Sequence, residues 1–388
     1  MEFSLGDGLE TLRNEVRGFV NGVVIPREKE LVHDLEKLET LRRQLQDEAV
    51  EAGLFGLHLP EELGGRGLGW REIAVVLEEA GRSLYGPQAL NAAAPDEGNM
   101  HLLHHAADGE QKKRYLEPLA RGGVRSCFAM TEPAPGAGSD PSLLRSTAEK
   151  QNGRWVINGS KWFITGAEGA AFAIVLVQTP EGPTMFIVDA DNPGLRLQRI
   201  VPTMDTLTPG GHGEISLVDC EVDDGAVLGE VGKGFEYAQI RLDPARLTHC
   251  MRWLGVGRRS MEVATRYAQG RESFGGRLSG HQAVQLMVAD SETEMHASRL
   301  MIWHAAWKLD LGEPIRQEAS MAKVFVSETV DRVVDRALQI CGALGVSEDV
   351  PLSHFYREAR PFRIYDGPSE VHRGAIARRI FKGVARDG

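Results

Sequence analysis

The chain has 388 residues, of which 42% are hydrophobic and 26% charged, with a formal net charge of −11. This composition excludes a disordered chain, and no apolar run approaches the ~20 residues that cross a bilayer. The acidic balance disfavours nucleic acid and anionic membranes as bulk partners, because a phosphate backbone is repelled at long range, while a local basic pocket for one phosphorylated ligand stays open.

The start, MEFSLGDGLETLRNEV, is acidic and amphipathic and has no basic n-region or apolar h-region, so an intracellular protein is expected. Residues 1–125 read as helices. Leu9, Leu12, Val16, Phe19 and Val20 recur at helical spacing, as do Leu38, Leu41, Leu45 and Ala49. Across 126–235 the period changes: Trp155-Val156-Ile157 and the runs 172–177, 185–188 and 215–222 are short β-branched stretches between turn residues, which predicts an antiparallel sheet. From 236 to 388 the helical period returns, with Met295, Arg299, Leu300, Trp303 and Trp307 marking one long helix and Val326, Val330, Val333, Ala337 and Ile340 another. Both stripes read as bundle core. The order predicts an α+β protein: an N-terminal helical domain (1–125), a central β domain (126–235) and a C-terminal helical bundle (236–388). Cys127, Cys220, Cys250 and Cys341 lie far apart without a CxxC pair and read as small buried hydrophobes, not as a disulfide framework or zinc site.

Residues 127–140, CFAMTEPAPGAGSD, are followed by RWVINGSKWFITG at 154–166. Small residues and hydroxyls at strand ends let a chain approach a flat cofactor, and an aromatic further on can face its ring, so the stretch suggests a flavin site. A polar, glycine-rich loop is the plainer alternative. Three further segments stand out: RESFGGRLSGHQ at 271–282, QICGALG at 339–345 and RIYDGPSEVHR at 363–373. Arg271 offers a forked cation suited to a pyrophosphate and Gln282 an amide for a nucleotide edge, or both are ordinary surface side chains. Gly342 and Gly345 read equally as a helix C-cap. Asp366 before Gly367-Pro368 is a turn signal, and becomes a base candidate if apolar groups surround it. GEVGKG at 229–234 lacks P-loop spacing, and His101, His104 and His105 lack a further ligand, so no nucleotide loop or metal site is assigned.

The ordered set TEP…GSD, W.INGSKWFIT, RESFGGRLSGHQ, QICGALG and YDGPSEV resembles the acyl-CoA dehydrogenase family over nearly the whole chain. The blocks PDEGNM at 95–100 and HCMR at 249–252 are similar to mammalian family members ten and eleven. The resemblance implies a C-terminal four-helix bundle and FAD between the sheet domain and that bundle. By position, Phe128, Met130, Thr131, Phe163 and Thr165 would hold the isoalloxazine, with Ser139 also near the cofactor. Arg271, Phe274 and Gln282 would reach the FAD of an adjacent subunit, with Gln339, Gly342, Ser369 and Glu370 completing the nucleotide contacts. Ser139, Asp243, Arg246 and Gly367 match acyl-CoA contacts, and Asp366 matches the base.

The implied reaction is α,β-desaturation of an acyl-CoA thioester to a trans-2-enoyl-CoA, with hydride passing to flavin N5 and the enolate oxygen held by the Asp366 N–H. Further implications are an electron-transfer flavoprotein as acceptor, a homotetramer built as a dimer of dimers, and a place in fatty acid β-oxidation, in a bacterial cytoplasm or a mitochondrial matrix. Three departures from the pattern stand out. Aspartate replaces the commoner glutamate at 366, Pro368 replaces a threonine, and Ala134 and Pro135 lengthen the TEP segment. Ala245, before Arg246, leaves the family's second base position vacant, so Asp366 is the assigned base. Two alternatives are a same-fold flavin oxidase acting on nitroalkanes and a non-catalytic partner subunit.

Overall fold

The structure, a computed structural model, describes residues 4–30 and 34–387, with side chains to residue 383. The chain packs into two compact units, each discontinuous in sequence. A helical unit comprises Met1–Glu28, Leu68–Pro87 and Arg246–Gly388; a sheet unit comprises Lys29–Gly67 and Gln88–Ala245. No helix among the described residues is long and apolar enough to cross a membrane.

In the sheet unit seven strands, β1 (Ser126–Ala129), β2 (Thr147–Gln151), β3 (Arg154–Thr165), β4 (Phe172–Thr179), β5 (Gly182–Asp189), β6 (Leu195–Ile200) and β7 (His212–Val222), form one sheet. They run in the order β1-β4-β2-β3-β7-β6, with β5 also paired to β4. Four of the pairings are antiparallel, and β4 pairs with β1 and, at one position, with β2 in parallel. The apolar run of β4 is explained by burial on both faces. Phe172, Ile174 and Leu176 join Met100, Leu103, Leu116 and Leu119 in one core, while Ala173, Val175 and Val177 join Trp155, Ile157, Phe186 and Val188 in another.

The helical unit gathers α1 (Asp7–Phe19), α3 (Trp70–Ala80), α6 (Gln282–Asp310), α7 (Arg316–Cys341), α8 (Leu352–Ala359), α9 (Ser369–Asp387) and most of α5 (Gly234–Gly270); α2 (Leu35–Glu51) and α4 (Asp96–Ala106) belong to the sheet unit. The expected faces of α1 and α2 are buried, as are Val326, Val330, Val333, Ala337 and Ile340 on α7. On α6 the helix is where the period predicts it, but its core face is not. Of the expected stripe only Met295 is buried, and the buried positions are Ser291, Ser298, Ile302, Ala305 and Ala306. Arg299 leaves the core stripe to pair with the buried Glu78 at 2.7 Å. Glu78 also takes Arg258 at 3.0 Å, and Glu79 takes Arg17 at 2.6 Å. These pairs tie α1, α3, α5 and α6 together through α3. The approach of α3 to α5 is close enough that a Cβ at Gly255 would stand 2.2 Å from the Glu78 carbonyl oxygen. All four cysteines are unpaired by disulfide and buried.

Candidate active site

Each unit carries its own group of candidate residues. In the sheet unit the group is organised by a buried ion pair. Lys161, on β3 and fully buried, donates to Glu132 at 2.8 Å and to the carbonyls of Leu176 at 2.6 Å and Met130 at 3.2 Å. Glu132 also accepts from the backbone N–H groups of Ala137, Arg145 and Ser146. Burial opposes its ionisation, but the Lys161 and Ser146 bonds outweigh this and hold the carboxyl down at about 2. A loop that would otherwise be a loose glycine-rich excursion is thereby pinned at one carboxylate.

A bulge in β3 between Lys161 and Ile164 then re-aims the side chains. Lys161 and Ile164 both point inward, and Phe163, at φ 52°, stands 45% exposed. Thr131 lies beside β3, its carbonyl accepting from the Trp162 N–H at 3.0 Å. Phe128, on β1, is half-buried beneath the Arg241 guanidinium, 4.1 Å from its ring. Met130 is half-buried, and Ser139 is exposed at the tip of the loop. The Thr165 hydroxyl lies 3.0 Å from His212 Nδ1, and His212 Nε2 lies 2.9 Å from Asp205. Since a carboxylate accepts, His212 carries its proton on Nε2, and Thr165 donates to Nδ1.

In the helical unit the central residue is Asp366, in the turn before α9 with φ 52°. A left-handed aspartate costs local free energy and persists only where its surroundings over-determine it. Its carbonyl oxygen accepts from Arg246 Nε at 3.1 Å and from His372 Nε2 at 3.0 Å. The next carbonyl, of Gly367, accepts from the buried Lys323 ammonium at 2.7 Å. Gly367 has φ 98°, and a Cβ there would stand 2.8 Å from His372 Nε2. Burial, then the nearby Arg246, pushes His372 down to about 4, so at neutral pH it is a neutral ring donating from Nε2. Burial likewise pushes Lys323 down to about 8, against the pull of Asp366.

The Asp366 carboxylate lies 3.2 Å from His249 Nε2, with 21% of its side chain exposed. His249 Nδ1 lies 3.2 Å from Arg252 Nη2. The wall around them is aromatic. The His249 ring is 4.9 Å from that of Tyr365 and 6.0 Å from that of Phe362, and Trp253 Nε1 donates to the Tyr365 hydroxyl at 2.5 Å. The rings pack around His249, and the groups beside Asp366 itself are His249 at its carboxylate and Arg246, His372 and Lys323 along its turn.

The remaining expected residues lie along helices and a hairpin. Arg271, Phe274 and Gln282 are exposed on the short hairpin 272–277 and the start of α6, with Phe274 at 95% exposure. Gln339 is exposed near the end of α7, and Gly342 is that helix's C-cap, as the plainer reading had it. Ser369 is buried and Glu370 exposed at the start of α9, and Asp243 is half-buried on α5. Sequence reasoning missed Lys161, His212, Lys323 and His372, and gave His249 and Arg252 no role although their block was noticed.

Residues 7–123, 127–220 and 232–381 match the N-terminal, middle and C-terminal domain families of the acyl-CoA dehydrogenases. Acyl-CoA dehydrogenase family member 11 of Gallus gallus is 37% identical over 387 residues, covering 94% of this chain and 49% of that protein, so the chain spans about half of this relative's length. (R)-Benzylsuccinyl-CoA dehydrogenase of Thauera aromatica is 34% identical over 98% of this chain and 97% of its own. The structure of butyryl-CoA dehydrogenase from Megasphaera elsdenii matches with a TM-score of 0.85 at 28% identity, covering 98% of this chain and 100% of that one. With all three domain families matched in order along a fold of the same kind, the chain belongs to the acyl-CoA dehydrogenase family, whose members are flavoprotein oxidoreductases.

Proposed function

We propose that this chain is a FAD-dependent acyl-CoA dehydrogenase in which Asp366 removes the α-proton of an acyl-CoA thioester to give a trans-2-enoyl-CoA. The observation that supports this most is Asp366 itself, its carboxylate partly exposed and paired with His249 Nε2 at 3.2 Å, its turn fixed through three donors to its own and the next carbonyl. A base must meet a weakly acidic C–H in a defined geometry, and a shorter side chain than glutamate needs its backbone held firmly to do so.

The residues of the sheet unit suit a flavin. An exposed aromatic face at Phe163, apolar Phe128 and Met130, and the Thr131 and Thr165 hydroxyls offer flat apolar contact edged by hydrogen-bonding groups. When bound, FAD supplies the two-electron acceptor for the hydride that leaves the substrate β-carbon. Arg271, Phe274 and Gln282, exposed on their own chain, are the proposed diphosphate and adenosine contacts to a neighbouring copy in a tetramer, alongside Gln339, Gly342, Ser369 and Glu370. Ser139, Asp243, Arg246 and Gly367 are the proposed acyl-CoA contacts, and an electron-transfer flavoprotein the proposed acceptor.

The test is anaerobic titration of the flavin-loaded protein with a panel of acyl-CoA esters. Bleaching of the oxidised flavin band is expected in the wild type and loss of at least about 100-fold in its rate in Asp366→Ala. Equal bleaching in the variant removes Asp366 as the base. Hydrogen peroxide release with nitroalkanes, without bleaching by any acyl-CoA, replaces the dehydrogenase reading with an oxidase.

A further inference from the structure

The side chain of the proposed base is in contact with a second titratable ring that none of the sequence motifs assigns. His249 Nε2 faces Asp366 Oδ2 at 3.2 Å, and its other nitrogen faces Arg252 Nη2 at 3.2 Å. A guanidinium only donates, so Nδ1 must accept and the ring proton must sit on Nε2, directed at the carboxylate. The Tyr365 hydroxyl, 3.5 Å from Nδ1, takes the Trp253 indole N–H and packs the ring from the side. The arrangement is a chain of two donations, Arg252 to His249 to Asp366, running along one turn of α5 into the turn before α9.

We propose that His249 is a positioning residue that orients the Asp366 carboxylate and favours its ionised form, with Arg252 fixing the histidine tautomer. Three consequences follow. One carboxylate oxygen, Oδ2, is engaged by His249, which fixes how the carboxylate is presented to a substrate proton. A donor to the charged form lowers the pH at which the base becomes active. The remaining charged or titratable groups packed around the pair, Arg246 and Cys250 on α5, Lys323 on α7, His372 on α9 and Tyr365, are unchanged when only His249 is replaced. The inference rests on Asp366 being the base, and its test separates the two.

The experiment compares wild type, His249→Leu and His249→Gln as flavin-loaded full chains. Glutamine can restore both the donor toward Asp366 and the acceptor toward Arg252. Single-turnover flavin reduction by an acyl-CoA is followed across pH, and protonation of Asp366 is followed independently by the carboxylic-acid infrared band that Asp366→Asn abolishes. His249→Leu is expected to slow reduction roughly 10- to 100-fold, as loss of an orienting hydrogen bond does, and to move both the acid limb and the infrared titration to higher pH. His249→Gln is expected to recover most of both. An unshifted infrared titration in His249→Leu, or a glutamine variant no better than leucine, overturns the proposal. A shifted titration in a protein that no acyl-CoA reduces keeps the His249 assignment and rejects the dehydrogenase reading.

Discussion

Replacing Lys161 with methionine tests whether one buried ion pair holds the loop of the sheet unit. Methionine preserves the apolar stem but removes an ammonium that bonds Glu132, Met130 O and Leu176 O. Glu132 would keep its backbone donors from Ala137, Arg145 and Ser146, so the carboxylate is weakened in its site and not stripped bare. Its fall from 4.5 to about 2 corresponds to roughly 3 kcal/mol favouring the ionised form, and removing one partner of a buried pair costs about 3–5 kcal/mol. Lys161→Met should therefore lose about 3 kcal/mol in urea unfolding followed by tryptophan fluorescence. In a cycle with Glu132→Gln the double variant should be more stable than the sum of the singles implies, because it buries no lone carboxylate. The pH dependence has a definite sign. Glu132 has a depressed folded value, so its contribution is complete above pH 4.5 and is lost as pH falls toward about 2. The gap between wild type and Lys161→Met should narrow over that window. A loss below about 1 kcal/mol, or strict additivity in the cycle, would refute the argument.

Gly367→Ala should leave secondary structure by circular dichroism intact while slowing flavin reduction at least about 10-fold, since a Cβ meets His372 Nε2 at 2.8 Å in a backbone with φ 98°; wild-type reduction kinetics would show that the turn has room to adjust. Arg271→Ala removes an exposed side chain, so its thermal unfolding without flavin should match wild type within about 0.5 kcal/mol. FAD retention on gel filtration should fall, and undiminished retention would detach Arg271 from the cofactor.

What could be read from one dimension depended on whether burial was accomplished by apolar side chains. The strands of the sheet and the face of α7 were legible because Val, Ile and Phe recur at the period of the element. The core face of α6 was misread because serines and alanines make up most of it beside Met295 and Ile302, while its two conspicuous tryptophans lie only partly buried. Buried charges were invisible for a related reason. Glu78, Glu79, Lys161 and Lys323 have the polarity of surface residues, and their partners, remote in sequence, are what make them tolerable inside. At the candidate site the Asp366-Gly367 turn was recognisable from its residue types, and motif order singled out Phe163 and Thr165. His212 carried no local mark, since only folding brings it beside Asp205, and the block that holds His249 gave no sign that Asp366 would lie against it.

The discontinuity of the helical unit bears on how the chain matures. A nascent chain 245 residues long already holds every segment of the sheet unit, whereas α1 and α3 still lack most of what covers them. Ile73 and Val76 on α3, which packs on α6 as well as on α1, must wait for α6 to leave the ribosome. Over that interval they form a greasy surface of the kind that chaperones hold. A fragment ending near residue 245 would therefore aggregate through α3, although the sheet it contains is whole.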